Sequence, residues 1–250
     1  MKGKIEEQIN FIVDWLRKQV DGASARGLVV GISGGIDSAV VAFLIKRAFP
    51  ENSLGVVIPC KSVALDMEYA EKLIVACNIE AMEIDLSDVH SLMLKEVEEK
   101  VQMYNPSERS RRATSANLKA RLRMSMLYGI ANRLNYLVVG TDNAAELYTG
   151  YFTKYGDGGV DILPLADLTK REVRAWGRFL GVPQEIIDRA PTAGLWENQT
   201  DEGEMGTTYD IIDDFLEGKP IPEKDREIIE RLHRVSAHKR SLVPKPPLRC

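Results

Sequence analysis

Cysteine is scarce in this 250-residue sequence, and its spacing excludes a common structural role. The three cysteines are Cys60, Cys77 and Cys250, and no two of them form a C-x-x-C pair. A zinc ribbon is therefore not expected, and the odd number favours a reducing compartment over a disulfide framework. Cys60 and Cys77 lie in apolar segments, where we expect them to pack in the core.

Long apolar runs are missing, and neither sign of charge dominates. No apolar stretch reaches the ~18 residues of a membrane span. The charged start MKGKIEEQIN lacks the apolar core of a secretory signal. The 33 basic and 37 acidic residues give a net charge of −4, which argues against a protein that coats nucleic acid. These features predict a cytoplasmic protein with neither a membrane nor a nucleic-acid partner.

Short apolar runs alternate with amphipathic helical patterns along the chain. The β-like runs are 28–32, 54–58, 81–84 and 136–139. This alternation predicts an α/β fold, a doubly wound parallel sheet with helices on both faces. The sequence contains no repeat and no linker, so we expect one domain over residues 1–250, with an irregular tail from about residue 238.

Two polar stretches are expected to be loops. The first, 105–114, is rich in arginine and precedes a long predicted helix, and the second spans 190–208. The stretches near 105–115 and 193–208 are candidate lids, whose closure would keep water from a reactive intermediate. Between them, Thr169–Glu172 has the pattern of a capping box that opens a helix, and Gly181 is the residue type that ends one.

The segment 28–38 is the one that indicates chemistry. It reads LVVGISGGIDS, which is a strand, a turn of small residues and the start of a helix. Such a turn exposes N–H groups at a helix N-terminus, where the helix dipole favours an anion such as phosphate. The segment lacks the lysine of a Walker A motif and the spacing of G-x-G-x-x-G. Asp37 would repel phosphates unless a cation lay between them, so it indicates a Mg²⁺ ligand. The alternative is a plain glycine turn.

This segment resembles the pyrophosphate loop of the N-type ATP pyrophosphatases, which cut ATP between its α and β phosphates. Six further segments are similar to those of ammonia-dependent NAD⁺ synthetases. These are NLKARLRM at 117–124, GTDNAAE at 140–146, YFTKYGDGG at 151–159, PTAGLW at 191–196, QTDE at 199–202 and HKR at 238–240. The resemblance spans roughly residues 5–245.

The resemblance implies a reaction and an architecture. Deamido-NAD⁺ would present its carboxylate to the α-phosphate of ATP, pyrophosphate would leave, and an acyl adenylate would form. Ammonia would then attack the acyl carbon and give NAD⁺ and AMP. The implied fold is Rossmann-like and similar to the adenine nucleotide alpha hydrolases, and the implied assembly is a homodimer. The chain has no second domain to hydrolyse glutamine, so we expect it to take free ammonia or ammonia from a separate partner.

The resemblance also implies site residues. Asp37 and Glu146 would bind Mg²⁺. The residues implied for ATP are Gly31, Ile32, Ser33, Gly34, Gly35, Ile36, Asp37, Ser38, Thr141, Lys170 and Thr192. The residues implied for deamido-NAD⁺ are Arg121, Lys154, Asp161, His238 and Lys239. Asp37 and Lys170 are expected to be catalytic, together with Asp157, which would hold ammonium and accept its proton.

Several of these side chains also have a plainer interpretation. Glu146 and Arg121 would then be solvated residues on helices, and Lys170 would extend along the surface. His238 would belong to the tail, and Asp157 would form a turn with its neighbouring glycines. A lysine at a helix start is electrostatically unfavourable, however, and a nearby phosphate would offset this.

Two other functions remain open at this stage. The first is another ATP pyrophosphatase, such as a tRNA-modifying or GMP-aminating enzyme, which the basic segment 109–123 would suit. The second is a non-catalytic sensor of adenine nucleotides. Turnover with each acceptor would separate these functions, because a sensor has no turnover.

Overall fold

Four short strands form the central sheet of this computed structural model, which describes residues 2–192, 194 and 200–246. The strands are β1 (Gly27–Ile32), β2 (Ser53–Val57), β3 (Glu80–Glu83) and β4 (Tyr136–Val139). They lie in the order β3-β2-β1-β4, and neighbouring strands are parallel. Each strand begins and ends close to its predicted run, so the predicted parallel sheet is confirmed.

Helices connect these strands and continue after the last one. In the described part of the chain they are α1 (Lys2–Gly22), α2 (Ile36–Ala48), α3 (Ala64–Cys77), α4 (Ser87–Val101), α5 (Glu108–Leu134), α6 (Ala144–Thr149), α7 (Lys170–Leu180), α8 (Gln184–Ile187), α9 (Asp201–Met205), α10 (Tyr209–Leu216), α11 (Glu223–Val235) and α12 (Ala237–Arg240). A 3₁₀ turn, Gln102–Tyr104, follows α4. None of the described helices is both long and apolar enough to cross a membrane.

Helices cover both faces of the sheet, as predicted, because strand side chains alternate between two cores. Leu28 and Val30 of β1 pack on one face with α1, α2, α3 and α7. Val29 packs on the opposite face, mainly against α5. Cys77 lies in the first core and Cys60 in the second, so the predicted packing of both cysteines is confirmed.

A third apolar cluster lies outside the sheet. It joins α6, α9, α10 and α11 around Tyr209, a fully buried tyrosine. The N-terminus of α7 is attached to this cluster, because both carboxylate oxygens of Asp213 on α10 accept backbone hydrogen bonds. Lys170 N donates at 3.0 Å and Arg171 N at 2.8 Å. This attachment fixes where α7 begins and therefore where its first side chain points.

The strand order creates a crevice at the carboxyl ends of β1 and β4. The chain continues from β1 to β2 and β3 on one side, whereas β4 returns to pair with β1 on the other. In parallel sheets, ligands bind at such a switch point. The segments that follow these strands, 33–38 and 140–146, are the ones in which the sequence predicted phosphate and metal contacts.

The predicted capping box at α7 is confirmed. Thr169 Oγ1 accepts a hydrogen bond from Glu172 N at 3.2 Å, and Glu172 Oε2 accepts one from Thr169 N at 2.9 Å. Gly181 ends the helix with φ +91°, as expected for a glycine at this position.

The loop predicted at 105–114 is wrong for most of its length. α5 begins at Glu108, and Ser107 Oγ caps it by accepting a hydrogen bond from Ser110 N at 3.2 Å. The first turns of α5 are exposed and charged, with a Glu108–Arg112 pair at 3.4 Å. Because an exposed helix start has no apolar periodicity, the sequence pattern did not reveal it. The first candidate lid is therefore the start of a helix.

The second predicted loop, 190–208, contains α9, which Thr200 caps by accepting a hydrogen bond from Gly203 N. Parts of this candidate lid and of the family-like segments, residues 193 and 195–199, lie outside the described residues. In the tail expected to be irregular from about 238, α12 extends to Arg240 and residues 241–246 have neither helix nor strand. Cys250 also lies outside the described residues.

Gly27 provides a test of the close approach between β1 and β2. A Cβ atom at Gly27 would lie 2.1 Å from the carbonyl oxygen of Asn52, which already accepts a hydrogen bond from Leu28 N. We expect Gly27→Ala to lower the free energy of unfolding by ~1–3 kcal/mol, because the strands must separate. Gly22→Ala is the control. Its Cβ would meet nothing within 4 Å, and we expect stability unchanged or raised by up to ~1 kcal/mol. Equal stabilities in urea denaturation would contradict the prediction.

Candidate active site

A cleft of about 850 Å³ opens at the carboxyl edge of the sheet, at the switch point between β1 and β4. It is lined by the segment after β1, the segment after β4, the glycine-rich turn at 150–159 and the start of α7. Of the residues predicted for ATP, all except Gly34 line it: Gly31, Ile32, Ser33, Gly35, Ile36, Asp37, Ser38, Thr141, Lys170 and Thr192. A cleft of this size suits an extended small-molecule ligand.

Hydrogen bonds within the loop after β1 hold its shape. Ser38 Oγ donates to Gly35 O at 2.9 Å and accepts a bond from Ser33 N at 3.3 Å. Gly34 has φ +75°, and a Cβ there would lie 2.7 Å from the carbonyl oxygen of Asp66 on α3. Glycine at position 34 therefore allows the loop to pack against α3. Gly35 is the N-cap of α2 and provides no side chain to cap it, which suits an anion at the helix start.

Lys170, Asp37 and Glu146 meet at the base of the cleft. Lys170 Nζ lies 2.6 Å from Asp37 Oδ2 and 3.3 Å from Glu146 Oε1. The Lys170 side chain is 2% exposed, and the two carboxylates are 17% and 13% exposed. Three different helices, α2, α6 and α7, thus bring one ammonium and two carboxylates together.

Neighbouring polar groups orient these carboxylates. Asn143 caps α6 in a capping box with Glu146, and Asn143 Nδ2 also donates to Asp37 Oδ1 at 2.9 Å. The Tyr209 hydroxyl donates to Glu146 Oε1 at 2.8 Å and lies 3.2 Å from Asp201 Oδ2. The Lys170 ammonium lies 4.4 Å from the centroid of the Tyr209 ring. Hydrogen bonds from a capping amide and a buried tyrosine therefore fix the cluster.

Burial and charge act in opposite directions on this cluster. Burial raises the pKa of Glu146 to about 7, although the Lys170 ammonium opposes the change. Burial would lower the pKa of Lys170, but the charges of Asp37 and Glu146 outweigh it and raise that pKa above its usual value. Lys170 is therefore charged across the physiological pH range, whereas Glu146 titrates within it.

The donor chemistry of Asp37 and Glu146 fits a magnesium ion. Their carboxylate oxygens approach one and the same cation, the Lys170 ammonium, which shows that they can face a common point. Mg²⁺ commonly uses one or two protein carboxylates and completes its shell with water and phosphate. Among the described residues no group of three or more His, Cys, Asp or Glu side chains is arranged for a metal ion, so phosphate oxygens would have to complete the shell here.

Two further acidic residues, Asp142 and Asp157, line the cleft beside this cluster. Asp157 Oδ1 accepts a hydrogen bond from Thr153 N at 3.0 Å, so it also shapes the glycine-rich turn. Asp142 is 5% exposed, and its Oδ2 has no hydrogen-bond partner. Burial raises the pKa of both carboxyls. The sequence analysis did not single out Asp142, because only its tertiary surroundings make it unusual.

The residues predicted for deamido-NAD⁺ lie mostly beside the cleft rather than in its lining. Lys239 lines it and donates to Phe152 O at 2.6 Å. Arg121 Nε donates to Lys154 O at 3.3 Å, and Lys154 Nζ donates to His238 O at 2.5 Å.

These contacts connect α5, the glycine-rich turn and α12 into one basic edge. Asp161 is separate from it, because its carboxylate accepts hydrogen bonds from the Tyr128 hydroxyl at 2.9 Å and from Val138 N at 2.8 Å. Of the five predicted residues, Lys239 is therefore the one in the described lining of the cleft.

Comparison with known proteins identifies the family. A sequence model described as NAD synthase matches residues 8–243. The chain belongs to the NAD synthase family. It is 60% identical over 249 residues to the NH(3)-dependent NAD(+) synthetase of Alkaliphilus oremlandii, covering 99% of this chain and 100% of that protein. As a member of this family, the chain is a ligase.

Solved structures agree with this assignment. The structure of NMN synthetase from Francisella tularensis superimposes with a TM-score of 0.91 and 41% identity, covering 98% of this chain and 99% of that one. The NAD+ synthetase from Burkholderia pseudomallei superimposes with a TM-score of 0.79 and 32% identity, covering 96% and 91%. The predicted Rossmann-like, adenine nucleotide alpha hydrolase-like fold is confirmed.

Sequence reasoning missed several residues of the cleft. Arg109 and Arg112 line it from the first turns of α5, which were predicted to be a loop. Tyr209 and Asp201 contact the Lys170 cluster from segments that carried no motif for this role. The four-residue segment QTDE at 199–202 is one of those that resemble the family, and Asp201 lies within it.

The buried ammonium of Lys170 supports a stability test. Lys170→Met would leave Asp37 and Glu146 facing each other without a cation, and we expect a loss of ~3–5 kcal/mol in the free energy of unfolding at pH 8. Lys219→Met is the matched control, since Lys219 also contacts two carboxylates, at 3.2 and 2.5 Å, but is 51% exposed. Water screens that pair, so a much smaller loss is expected. Comparable losses for both variants in chemical denaturation would contradict this account.

Proposed function

We propose that this chain uses ATP and ammonia to convert deamido-NAD⁺ to NAD⁺, AMP and pyrophosphate through an acyl adenylate. The observation that carries the proposal is the Asp37–Lys170–Glu146 cluster beside an anion-binding loop. It provides a cation and two metal-binding carboxylates where the phosphates of ATP would lie. The similarity to NH(3)-dependent NAD(+) synthetases supports the same reaction.

The loop Ser33–Ser38 and the start of α2 would bind the phosphates of ATP through backbone N–H groups. Thr141 and Thr192, which both line the cleft, would add hydroxyl contacts. Lys170 would donate to phosphate oxygens and stabilise the charge that develops as pyrophosphate leaves. Asp37 and Glu146 would hold Mg²⁺, which when bound neutralises charge on the phosphates.

The basic edge beside the cleft would bind the dinucleotide. Arg121, Lys154, Lys239 and the His238 segment provide cations and backbone groups for a ligand that carries phosphates and a carboxylate. Asp161, which lies beside β4 and accepts a hydrogen bond from Val138 N, would also contact the dinucleotide. The nicotinate carboxylate would then attack the α-phosphorus of ATP, and the bond between the α-phosphorus and the bridging oxygen would break.

Ammonia would attack the acyl carbon of the adenylate, and AMP would leave. Asp157 is the candidate that holds the ammonium ion and accepts its proton, because its carboxyl lines the cleft and desolvation there raises its pKa. Its hydrogen bond from Thr153 N would keep the carboxylate in place during this step.

We also propose a cytoplasmic homodimer. The side of the molecule formed by α4 and the turn after it exposes several large apolar side chains, among them Leu92 (65% exposed), Met103 (81%) and Tyr104 (75%). An exposed apolar surface of this kind indicates a protein interface. A second copy of the chain is the proposed partner.

A second candidate acceptor follows from the similarity to NMN synthetase. That structure has a TM-score of 0.91, against 0.79 for the NAD+ synthetase of Burkholderia pseudomallei. Nicotinic acid mononucleotide carries the same carboxylate as deamido-NAD⁺ but lacks the adenylate half. Amidation of the mononucleotide would use the same residues around the ATP phosphates.

The decisive experiment supplies ATP, Mg²⁺ and ammonium chloride with either acceptor and follows AMP and the amidated product. We expect NAD⁺ and AMP in equal amounts from deamido-NAD⁺. A higher kcat/KM with the mononucleotide would replace the proposed acceptor. No amidation of either acceptor by the folded protein would refute the proposed function.

Variants connect this turnover to the cleft. Asp37→Asn is expected to lower kcat/KM by at least about 100-fold, because it removes a metal ligand. Asp210→Asn is the matched control, since Asp210 is exposed on α10 and pairs with Arg174 at 3.6 Å. Unchanged turnover in Asp37→Asn would exclude this residue from the mechanism.

The raised pKa of Glu146 predicts a pH-dependent affinity for Mg²⁺. Below about pH 7 this carboxyl is protonated and a proton must leave before the metal binds. We expect the half-saturating free Mg²⁺ concentration to rise as pH falls through 7, approaching ~tenfold per unit. Glu146→Gln removes this group, so the variant should need more Mg²⁺, and its half-saturating concentration should keep only the pH dependence of ATP itself. Equal pH dependence in both proteins, measured in metal-buffered assays, would contradict the prediction.

A further inference from the structure

Arg189 lies where the loop after β1, helix α3 and the segment leading to Thr192 meet. Its Nη1 donates to Gly34 O at 3.4 Å, and its Nη2 donates to Asp66 Oδ1. The guanidinium carbon lies 4.9 Å from the centroid of the Tyr69 ring. The sequence analysis assigned no role to Arg189 or Asp66.

Burial and position distinguish this arginine from the surface arginines. The side chains of Arg189 and Asp66 are each 15% exposed, and both residues line the cleft. Arg189 is also in contact with the loop that would bind phosphate, through the carbonyl of Gly34. A positive charge held at an anion-binding loop lowers the cost of bringing a further anion there.

The chemistry of the Arg189–Asp66 pair allows an exchange of partners. A guanidinium has five N–H donors and forms paired hydrogen bonds with carboxylate and phosphate alike. In this structure Nη2 contacts one oxygen of Asp66. Phosphates bound at the nearby loop would offer the guanidinium several more acceptor oxygens. Stacking on Tyr69 does not depend on Asp66, so it would support the guanidinium with either partner.

We propose that Arg189 binds the pyrophosphate end of ATP, exchanging Asp66 for phosphate oxygens, and that Asp66 is the carboxylate that competes with phosphate for this guanidinium. This inference rests on the proposed function, because it requires ATP in the cleft. Arg189 then donates hydrogen bonds to the β and γ phosphates from the α3 side of the cleft, whereas Lys170 donates to them from the α7 side. Pyrophosphate, the leaving group, is held by both cations.

The exchange also reaches the Thr192 segment. A Cβ at Gly194 would lie 2.9 Å from Asp66 Oδ2, and Gly194 N donates to Thr192 Oγ1 at 3.1 Å. Gly194 has φ +60°, a conformation that glycine adopts readily. Asp66 therefore contacts Arg189 and lies next to the segment that provides Thr192. A movement of the Asp66 side chain would affect the position of both.

Calorimetric titration of the full chain with Mg²⁺-ATP, Mg²⁺-pyrophosphate and AMP tests the proposal. In Arg189→Gln we expect ATP and pyrophosphate to bind about tenfold or more weakly, as for loss of a charge-assisted hydrogen bond, with AMP affinity within about twofold of wild type. Arg189→Lys should restore part of the pyrophosphate affinity, because it keeps the charge but not the paired donors. Arg174→Gln is the matched control, because Arg174 of α7 pairs with Asp210 of α10 and is not in the described lining of the cleft. This variant should bind all three ligands as the wild type does.

Asp66→Asn separates phosphate binding from a purely structural pairing. Removing the competing carboxylate should tighten pyrophosphate binding several-fold. If the pair only holds α3 to the Arg189 segment, Arg189→Gln and Asp66→Asn should instead weaken ATP, pyrophosphate and AMP alike, and that result overturns the proposal. Unchanged pyrophosphate affinity in Arg189→Gln overturns it as well. Failure of the wild-type chain to bind ATP or pyrophosphate would refute the proposed function itself.

Discussion

A buried ammonium shared by two carboxylates connects three distant parts of this chain. Lys170 on α7 contacts Asp37 on α2 and Glu146 on α6. None of the three could be buried at this depth alone, because an unpaired charge away from water is strongly unfavourable. The positions of the three helices are therefore mutually dependent. Asp213 and Tyr209, from the C-terminal cluster, complete this arrangement by fixing the start of α7 and one oxygen of Glu146.

The parallel sheet explains why these charges meet at one edge. β1 and β4 are neighbours in space but separated by two strands and four helices in the sequence. Their carboxyl ends point the same way, so the segments after them face each other across the switch point. The short polar segments that follow β1 and β4 can then bring Asp37, Asn143 and Glu146 together without disturbing either core. The fold provides the proximity, and the capping interactions provide the orientation.

Much of this arrangement could be predicted from local sequence. The strands, the glycine loop, the α7 capping box and Gly181 each have a local signal, and each was confirmed. The start of α5 was missed because an exposed helix with charged first turns has no apolar period. Asp142, Tyr209 and Arg189 were missed for a different reason. Their significance lies in burial and in partners far along the chain, such as Asp66 for Arg189, and spacing in sequence does not encode either.

The charges of the cleft favour a metal-bound triphosphate over a free anion. Two cations that line the cleft, Lys170 and Arg189, already have carboxylate partners. An anion that drew Lys170 away would leave Asp37 and Glu146 close together without a cation. The free energy of this unpaired arrangement is more unfavourable than the new contact between ammonium and anion is favourable. Mg²⁺ bound by Asp37 and Glu146 would remove this penalty, because it would supply positive charge to these carboxylates in place of the ammonium. The proposed binding of ATP would then depend on Mg²⁺ through the protein's own ion pairs as well as through the charge of the nucleotide.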